Sequence, residues 1–221
     1  MDILRIMTEL GRERYVFHSE ADFQHSLAWK IKEIYPKARV RLEVKLFYPP
    51  ITVRTAKGTK TKRRSLDVLV NLGSNEFAIE LKYKTAKIDG FKIIRENDEN
   101  FQIPREGAQD IARYGYLSDL MRLEKQTHDK SNRTGHAILL TNDSSYWNPP
   151  TKKKPKDIEF RIHKDFLKRR MNWQDGTSEK TTKGRTKPIV LKKKYPIKWR
   201  PYSKLVRERN KEFRYLLIST E

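Results

Sequence analysis

The chain has 221 residues and carries 49 Lys and Arg against 28 Asp and Glu, a formal net charge of +21. A charge of that size repels itself in a compact fold unless something anionic binds, so nucleic acid is the first expected partner and an anionic membrane surface the second. There is no cysteine, which excludes disulfides, zinc–thiolate sites and cysteine nucleophiles, and no apolar run long enough to span a bilayer.

Residues 1–14 alternate charged with apolar residues and lack the apolar stretch of a signal peptide. Ser19 to Asp22 read as a helix start, with Ser19 as N-cap and Asp22 as its partner three residues on. Phe23, Leu27, Ala28, Ile31 and Ile34 then form a helical stripe that Pro36 ends. Over Arg39 to Tyr48, Val40, Leu42, Val44 and Leu46 alternate with charged residues, the pattern of a half-buried strand. A basic loop, Lys57 to Arg64, follows. Ser65 to Leu72 and Glu76 to Lys84 are two further strands, joined at Gly73-Ser74, a two-residue type II′ hairpin signal. Arg105 to Glu124 is a long helix, Lys125 to Gly135 a polar loop, and Ala137 to Thr141 a short buried strand. In the last third Ile158 to His163, Pro188 to Lys193 and Phe213 to Ser219 are expected strands between long polar loops.

The charge is uneven along this order. Met1 to Pro150 hold 26 basic and 20 acidic residues, and Thr151 to Glu221 hold 23 basic and 8 acidic, a net +6 against a net +15. The division suggests a core over 1–150 and a basic extension over 151–221 that packs on it and contacts DNA. The extension's runs include Lys152, Lys153 and Lys154, and aromatics lie among them at Phe166, Trp173, Tyr195, Trp199 and Tyr202. Basic and aromatic residues interleaved are the footprint of a nucleic-acid surface, while any single run also reads as a solvated loop.

If Gly73 and Ser74 are the turn, paired positions put Asp67 directly opposite Glu80. The period of two then sets Glu80 and Lys82 on one face, with Phe77, Ile79, Leu81 and Tyr83 on the other. On the first strand, Leu66, Val68 and Val70 point away from Asp67. Two carboxylates facing across a ladder repel, so a compensating cation is expected. Two readings are open: a hard divalent metal held by the carboxylates, or a plain Asp67–Lys82 salt bridge on a polar face. Glu20 lies on the helical stripe with Leu27 and Ile31. It either points to this patch or complements the helix dipole in the first turn. His18, His25, His128, His136 and His163 show no metal-ligand spacing.

Leu66-Asp67 followed by Ile79-Glu80-Leu81-Lys82, on a helix, three-strand, helix, strand order, resembles the PD-(D/E)XK nuclease superfamily over roughly residues 19–142. The resemblance implies an α/β, restriction-endonuclease-like core: helix, three-stranded meander, helix, strand. It carries a basic β-rich C-terminal extension. Asp67 and Glu80 match the family's metal-binding acids, Lys82 its catalytic lysine, and Glu20 the acidic residue many members carry on the first helix. Gln109 and Tyr114 are similar to the Gln-x-x-x-Tyr element of one branch, with a spacing one residue longer. Leu66 stands where some members have proline.

The resemblance implies a Mg²⁺-dependent deoxyribonuclease, with Mn²⁺ able to substitute, acting as an endonuclease. The metal would rest on Asp67, Glu80, the Leu81 carbonyl and Glu20, with Lys82 beside the attacking water or a non-bridging oxygen. Gln109 and Arg113 share a helical face and could contact phosphate or orient the metal shell, though Gln109 equally suits a cap or packing role. Lys62, Arg63 and Arg64, with Arg113 and Lys152 to Lys154, are the candidate DNA contacts. Expected partners are DNA and, as an assembly, a homodimer, with no membrane. By analogy the setting is the cytoplasm of a prokaryote or its phage. The rivals are a non-catalytic nucleic-acid-binding or assembly protein on the same scaffold, and a ribonuclease.

Overall fold

The structure is a computed structural model that describes residues 1–45, 47–55, 58–93, 99–128, 130–205 and 212–220. In chain order the elements are α1 (Ile3–Glu13), α2 (Glu20–Ile34), β1 (Arg39–Val44), β2 (Ile51–Thr55), β3 (Gly58–Lys62), β4 (Leu66–Leu72) and β5 (Asn75–Lys84). Then come β6 (Ile88–Ile93), β7 (Glu99–Ile103), α3 (Gln109–Thr127), β8 (Arg133–Thr141), β9 (Arg170–Met171), α4 (Glu179–Thr182), β10 (Ile189–Val190), β11 (Trp199–Lys204) and β12 (Glu212–Thr220). Six strands form one mixed sheet in the order β1-β4-β5-β8-β12-β11. All neighbours are antiparallel except β5 and β8. A parallel pair needs a crossover connection, and α3 supplies it.

Two apolar clusters show why the sheet is covered on both faces. Phe77, Ile79, Leu81 and Tyr83 of β5 pack with Ile6, Leu10, Phe23, Leu27 and Ile31 of α1 and α2. Ala78, from the opposite face of β5, packs with Leu117, Leu120 and Leu123 of α3 and with Phe160, Met171, Leu191 and Tyr195 of the C-terminal third. Each large apolar side chain so buried contributes about 1.5–3 kcal/mol relative to exposure. The basic C-terminal segment is therefore part of the core: it supplies β11 and β12 to the sheet and buried residues to the second cluster. At its far edge α1 lies so close to β11 that a Cβ on Gly11 would meet the Tyr202 carbonyl oxygen at 2.8 Å.

Several expected elements are present. α2 starts where Ser19 caps it, the Ser19 hydroxyl accepting the Asp22 N–H at 3.1 Å. The β4–β5 hairpin turns at Gly73, whose φ is +62° while Ser74 is not in the positive-φ region, as a type II′ turn requires. Its register, Leu72↔Asn75 through Val68↔Ile79, is the expected one, but the ladder stops there and the expected Asp67–Glu80 pair is not part of it.

Other expectations are corrected. The strand over Arg39 to Tyr48 ends at Val44, one residue past Glu43, which has a left-handed φ of +51°. The helix expected from Arg105 begins at Gln109, behind a left-handed Ala108 with no capping side chain. The preceding residues are held beside β5 instead: the Glu106 N–H donates to the Thr85 carbonyl and Lys84 pairs with Glu106, both at 2.9 Å. Ile158 to His163 is no strand; Ile158–Phe160 is a 3₁₀ turn closed by Phe160 N–H donating to the Asp157 carbonyl at 2.9 Å. Pro188 to Lys193 contains only the two-residue β10, paired with β9. Helix α1, the β2–β3 and β6–β7 hairpins and β11 have no counterpart in the expected elements. The basic loop from Lys57 is largely β3, with Lys57 itself outside the described residues.

Candidate functional site

The alternation of β4 is not continuous. Val68 and Val70 pack on the α1/α2 side, but Leu66 packs on the α3 side, although all three were expected on one face. Strand β1 does the same: Val40 and Leu42 face α1 and α2, and Val44 faces α3. Both strands change phase at one rung, Glu43 and Asp67, and neither residue is among the paired Cα partners. Gln24 of α2 fills the opening. Its amide nitrogen donates to the Asp67 carbonyl at 2.7 Å and to Glu43 Oε1 at 3.0 Å. The Asp67 carboxylate, freed from the regular pleat, accepts the Leu81 N–H at 2.6 Å.

Here Asp67, Glu80 and Lys82 come together along an open cleft of about 520 Å³. Its walls include Arg63, Arg64 and Ser65 before β4, Tyr114, Ser118, Asp119 and Arg122 of α3, and Gly184 and Arg185. Glu80 is 4% exposed. Its Oε1 accepts from the Tyr48 hydroxyl at 2.6 Å and from Arg122 at 3.2 Å, and no partner among the described residues holds Oε2. Burial, then the charges of Asp119 and Asp67, push its carboxyl up to about 8. Asp67 is also raised, again by burial first, with the Leu81 N–H and Lys82 acting against the rise. Desolvation thus disfavours the charged form of both carboxylates.

The Lys82 ammonium lies 3.0 Å from Asp119 Oδ2 and 3.9 Å from Glu20 Oε1, and donates to the Leu81 carbonyl at 2.9 Å. Burial alone would push it down, but Asp119, Glu20 and Asp67 outweigh that and the net direction is up. Lys82 therefore stays positively charged. Glu20 takes neither of its two expected roles alone. Its Oε2 accepts the Tyr83 N–H at 2.9 Å, joining the first turn of α2 to the end of β5, and its other oxygen reaches toward Lys82.

The remaining expected residues separate. Gln109 donates to Asp143 Oδ2 at 3.0 Å and does not line the cleft. Arg113 is 2% exposed and bound to Asp157 through Nε at 2.8 Å and a terminal nitrogen at 2.7 Å. It is a buried structural cation, which corrects the expectation of a DNA contact. Arg63 and Arg64 are exposed cleft residues. Lys62 ends β3, and its side chain lies outside what the structure describes. Lys152, Lys153 and Lys154 are exposed and do not line the cleft. Among the aromatics of the basic region, Tyr195 is buried, Trp173 stacks on Tyr114 and Trp199 meets Trp147, leaving Phe166 exposed at 49% beneath Lys194.

Asp119, Arg122, Tyr48 and Gln24 were not anticipated. Asp119 is the hub, pairing with both Lys82 and Arg122, and Arg122 also lies over the Tyr48 ring. The sequence carried one signal for them: Asp119 and Arg122 stand three apart on a helix, among apolar residues that face the sheet. Among the described residues no three His, Asp or Glu side chains are gathered closely enough to hold a metal by themselves. Two carboxylates and a backbone carbonyl, completed by water or phosphate oxygens, still suit Mg²⁺, which keeps much of its hydration shell. A bound cation would favour the charged form of Asp67 and Glu80 that burial disfavours. No helix among these residues is long and apolar enough to cross a membrane. Comparison with protein-family models, curated proteins and solved structures returned no match.

Proposed function

We propose that the chain is a divalent-metal-dependent deoxyribonuclease, an endonuclease built on a restriction-endonuclease-like core. One observation carries the reading: two carboxylates with raised protonation, Asp67 and Glu80, share an open cleft with a charged lysine, Lys82, between arginine walls. Asp67 and Glu80, with the Leu81 carbonyl, would hold Mg²⁺. The bound ion would supply Lewis acidity at the phosphoryl group and lower the pKa of its water.

The chain's own groups have distinct tasks. Tyr48 and Arg122 hold Glu80 by one oxygen, which fixes its rotamer and leaves Oε2 as a donor. The Leu81 N–H holds Asp67 in the same way. Because Lys82 is kept as an ammonium, it cannot abstract a proton; it stabilises negative charge developing on the phosphoryl oxygens. Arg63, Arg64 and Arg185 bind flanking phosphates.

A second reading has its own observation. Glu80 Oε1 and the Lys82 amine already have partners within the protein, as expected of a non-catalytic scaffold that only binds nucleic acid. Supercoiled plasmid incubated with Mg²⁺ or with EDTA separates the two. The nuclease reading expects nicking and linearisation by wild type in Mg²⁺ alone, lost in Asp67→Ala and in Lys82→Ala. Plasmid retention without cleavage in any divalent metal, or undiminished cleavage by Lys82→Ala, would sink it.

A further inference from the structure

Arg185 comes from the region that carries most of the positive charge, and it lines the same cleft as Arg63 and Arg64 of the β3–β4 connection. Of the described residues in 151–221, Gly184 and Arg185 are the ones that line the cleft. The segment that brings them there is tied down at several points. The Trp173 indole N–H donates to the Arg185 carbonyl at 3.0 Å, and the Arg185 N–H donates to the Thr182 carbonyl at 2.7 Å. Farther along, the Tyr114 hydroxyl of α3 donates to the Lys187 carbonyl at 2.9 Å. Gly184 makes the turn at a φ of +74°, with open space where a Cβ would stand, so the glycine serves the backbone conformation and not a close contact.

The side chain is also oriented. Arg185 Nε donates to the Thr181 carbonyl at 2.9 Å, and its two terminal nitrogens have no hydrogen-bond partner among the described residues. The other cleft cations differ: Lys82 and Arg122 are bound to carboxylates. Arg64, which lines the same cleft, is exposed and forms no ion pair among the described residues. Burial lifts the Tyr114 phenol, and the charges of Arg64 and Arg185 both act against that rise, so both guanidinium groups bear on the same stretch of cleft. A planar guanidinium held by one nitrogen with its other two free is suited to bidentate recognition of a phosphate.

We propose that Arg185 and Arg64 together grip backbone phosphates of one DNA strand in the cleft, so that the basic C-terminal segment acts on the substrate inside the site. The proposal rests on the reading that the cleft takes DNA, and it assigns the contact to named residues. Neutralising one phosphate on duplex DNA changes the log–log salt dependence of binding by about 0.9. Fluorescence anisotropy of a labelled duplex, in EDTA to prevent cleavage and at several salt concentrations, reads this directly on the full chain. Arg185→Gln and Arg64→Gln should each reduce the slope by about 0.9, and the double variant by about 1.8.

The chain has four tryptophans, so Trp173 emission is read as the difference between each protein and the same protein carrying Trp173→Phe; it monitors the segment because the indole holds the Arg185 carbonyl. Arg185→Lys keeps the charge without the guanidinium fork and should retain most of the slope. An Arg185→Gln slope equal to wild type, with Trp173 emission unchanged, overturns the proposal. So does a loss in Arg185→Lys as large as in Arg185→Gln, which would mark a folding effect. Plasmid cleavage by wild type is measured in parallel. A reduced slope without cleavage supports the phosphate contact and overturns the nuclease reading; cleavage with an unchanged slope does the reverse.

Discussion

His136 should make the protein lose stability as pH falls, and the amount can be worked from its surroundings. The residue sits on β8, 5% exposed, with its ring parallel to that of Phe77. Nδ1 meets the Ser219 hydroxyl at 2.9 Å, and Nε2 is buried with no hydrogen-bond partner. An imidazolium would need acceptors at both nitrogens and the structure offers one. Burial, and after it the N-terminal ammonium, push the group from 6.5 down to about 4.

The unfolded chain therefore binds a proton that the folded chain refuses. The stability is fully present above about pH 6.5 and is lost as pH falls through about 4. A shift of about 2.5 units at 1.36 kcal/mol each comes to about 3 kcal/mol. Glu80 works in the opposite sense over part of this range, since its raised carboxyl stabilises the fold as pH falls from about 8. The two effects are separated by subtraction. Urea denaturation of wild type and His136→Leu across this range, in EDTA, should give stability differences that change by about 3 kcal/mol between the two ends. Leaving the Ser219 hydroxyl unpaired costs the variant a roughly constant amount at every pH, which cancels. Parallel curves for the two proteins would refute the reasoning, because they would mean that His136 titrates alike folded and unfolded.

Asp157→Ala strands the Arg113 guanidinium without its carboxylate in the interior and also frees Arg161. It should cost about 3–5 kcal/mol by urea denaturation, most of it restored when Arg113→Met is added; an effect under about 1 kcal/mol would mean that the pair is solvated. Replacing Lys152, Lys153 and Lys154 with Ala should lower the DNA salt slope by up to roughly 3 if the duplex extends past the cleft to that loop. An unchanged slope would leave the run a solvated loop, and cleavage should persist in either case because none of the three lines the cleft.

What was legible in the sequence is what neighbouring residues decide among themselves. The type II′ turn at Gly73-Ser74 depends on one glycine's freedom at positive φ, and it sets the β4–β5 register. The period of two along β5 separates Phe77, Ile79, Leu81 and Tyr83 from Ala78, because backbone pleating alone enforces it. Ser19 caps α2 through a bond that spans three residues. Tertiary packing decided the rest. The phase change at Asp67 and Glu43 depends on Gln24 from another element filling the opened rung. Asp119 reaches Lys82, and Arg122 reaches Glu80 and Tyr48, only because α3 crosses over the sheet face that carries them. The same packing turned Arg113 inward to Asp157, although the sequence set it on one helical face with Gln109 as a candidate DNA contact. Arg185 entered the cleft through bonds from Trp173, and Tyr114 secured Lys187 close by. Periodicity and turn chemistry are short-range and leave a local trace, whereas a charge's partner is set by which elements pack together, and that information is spread over the whole chain.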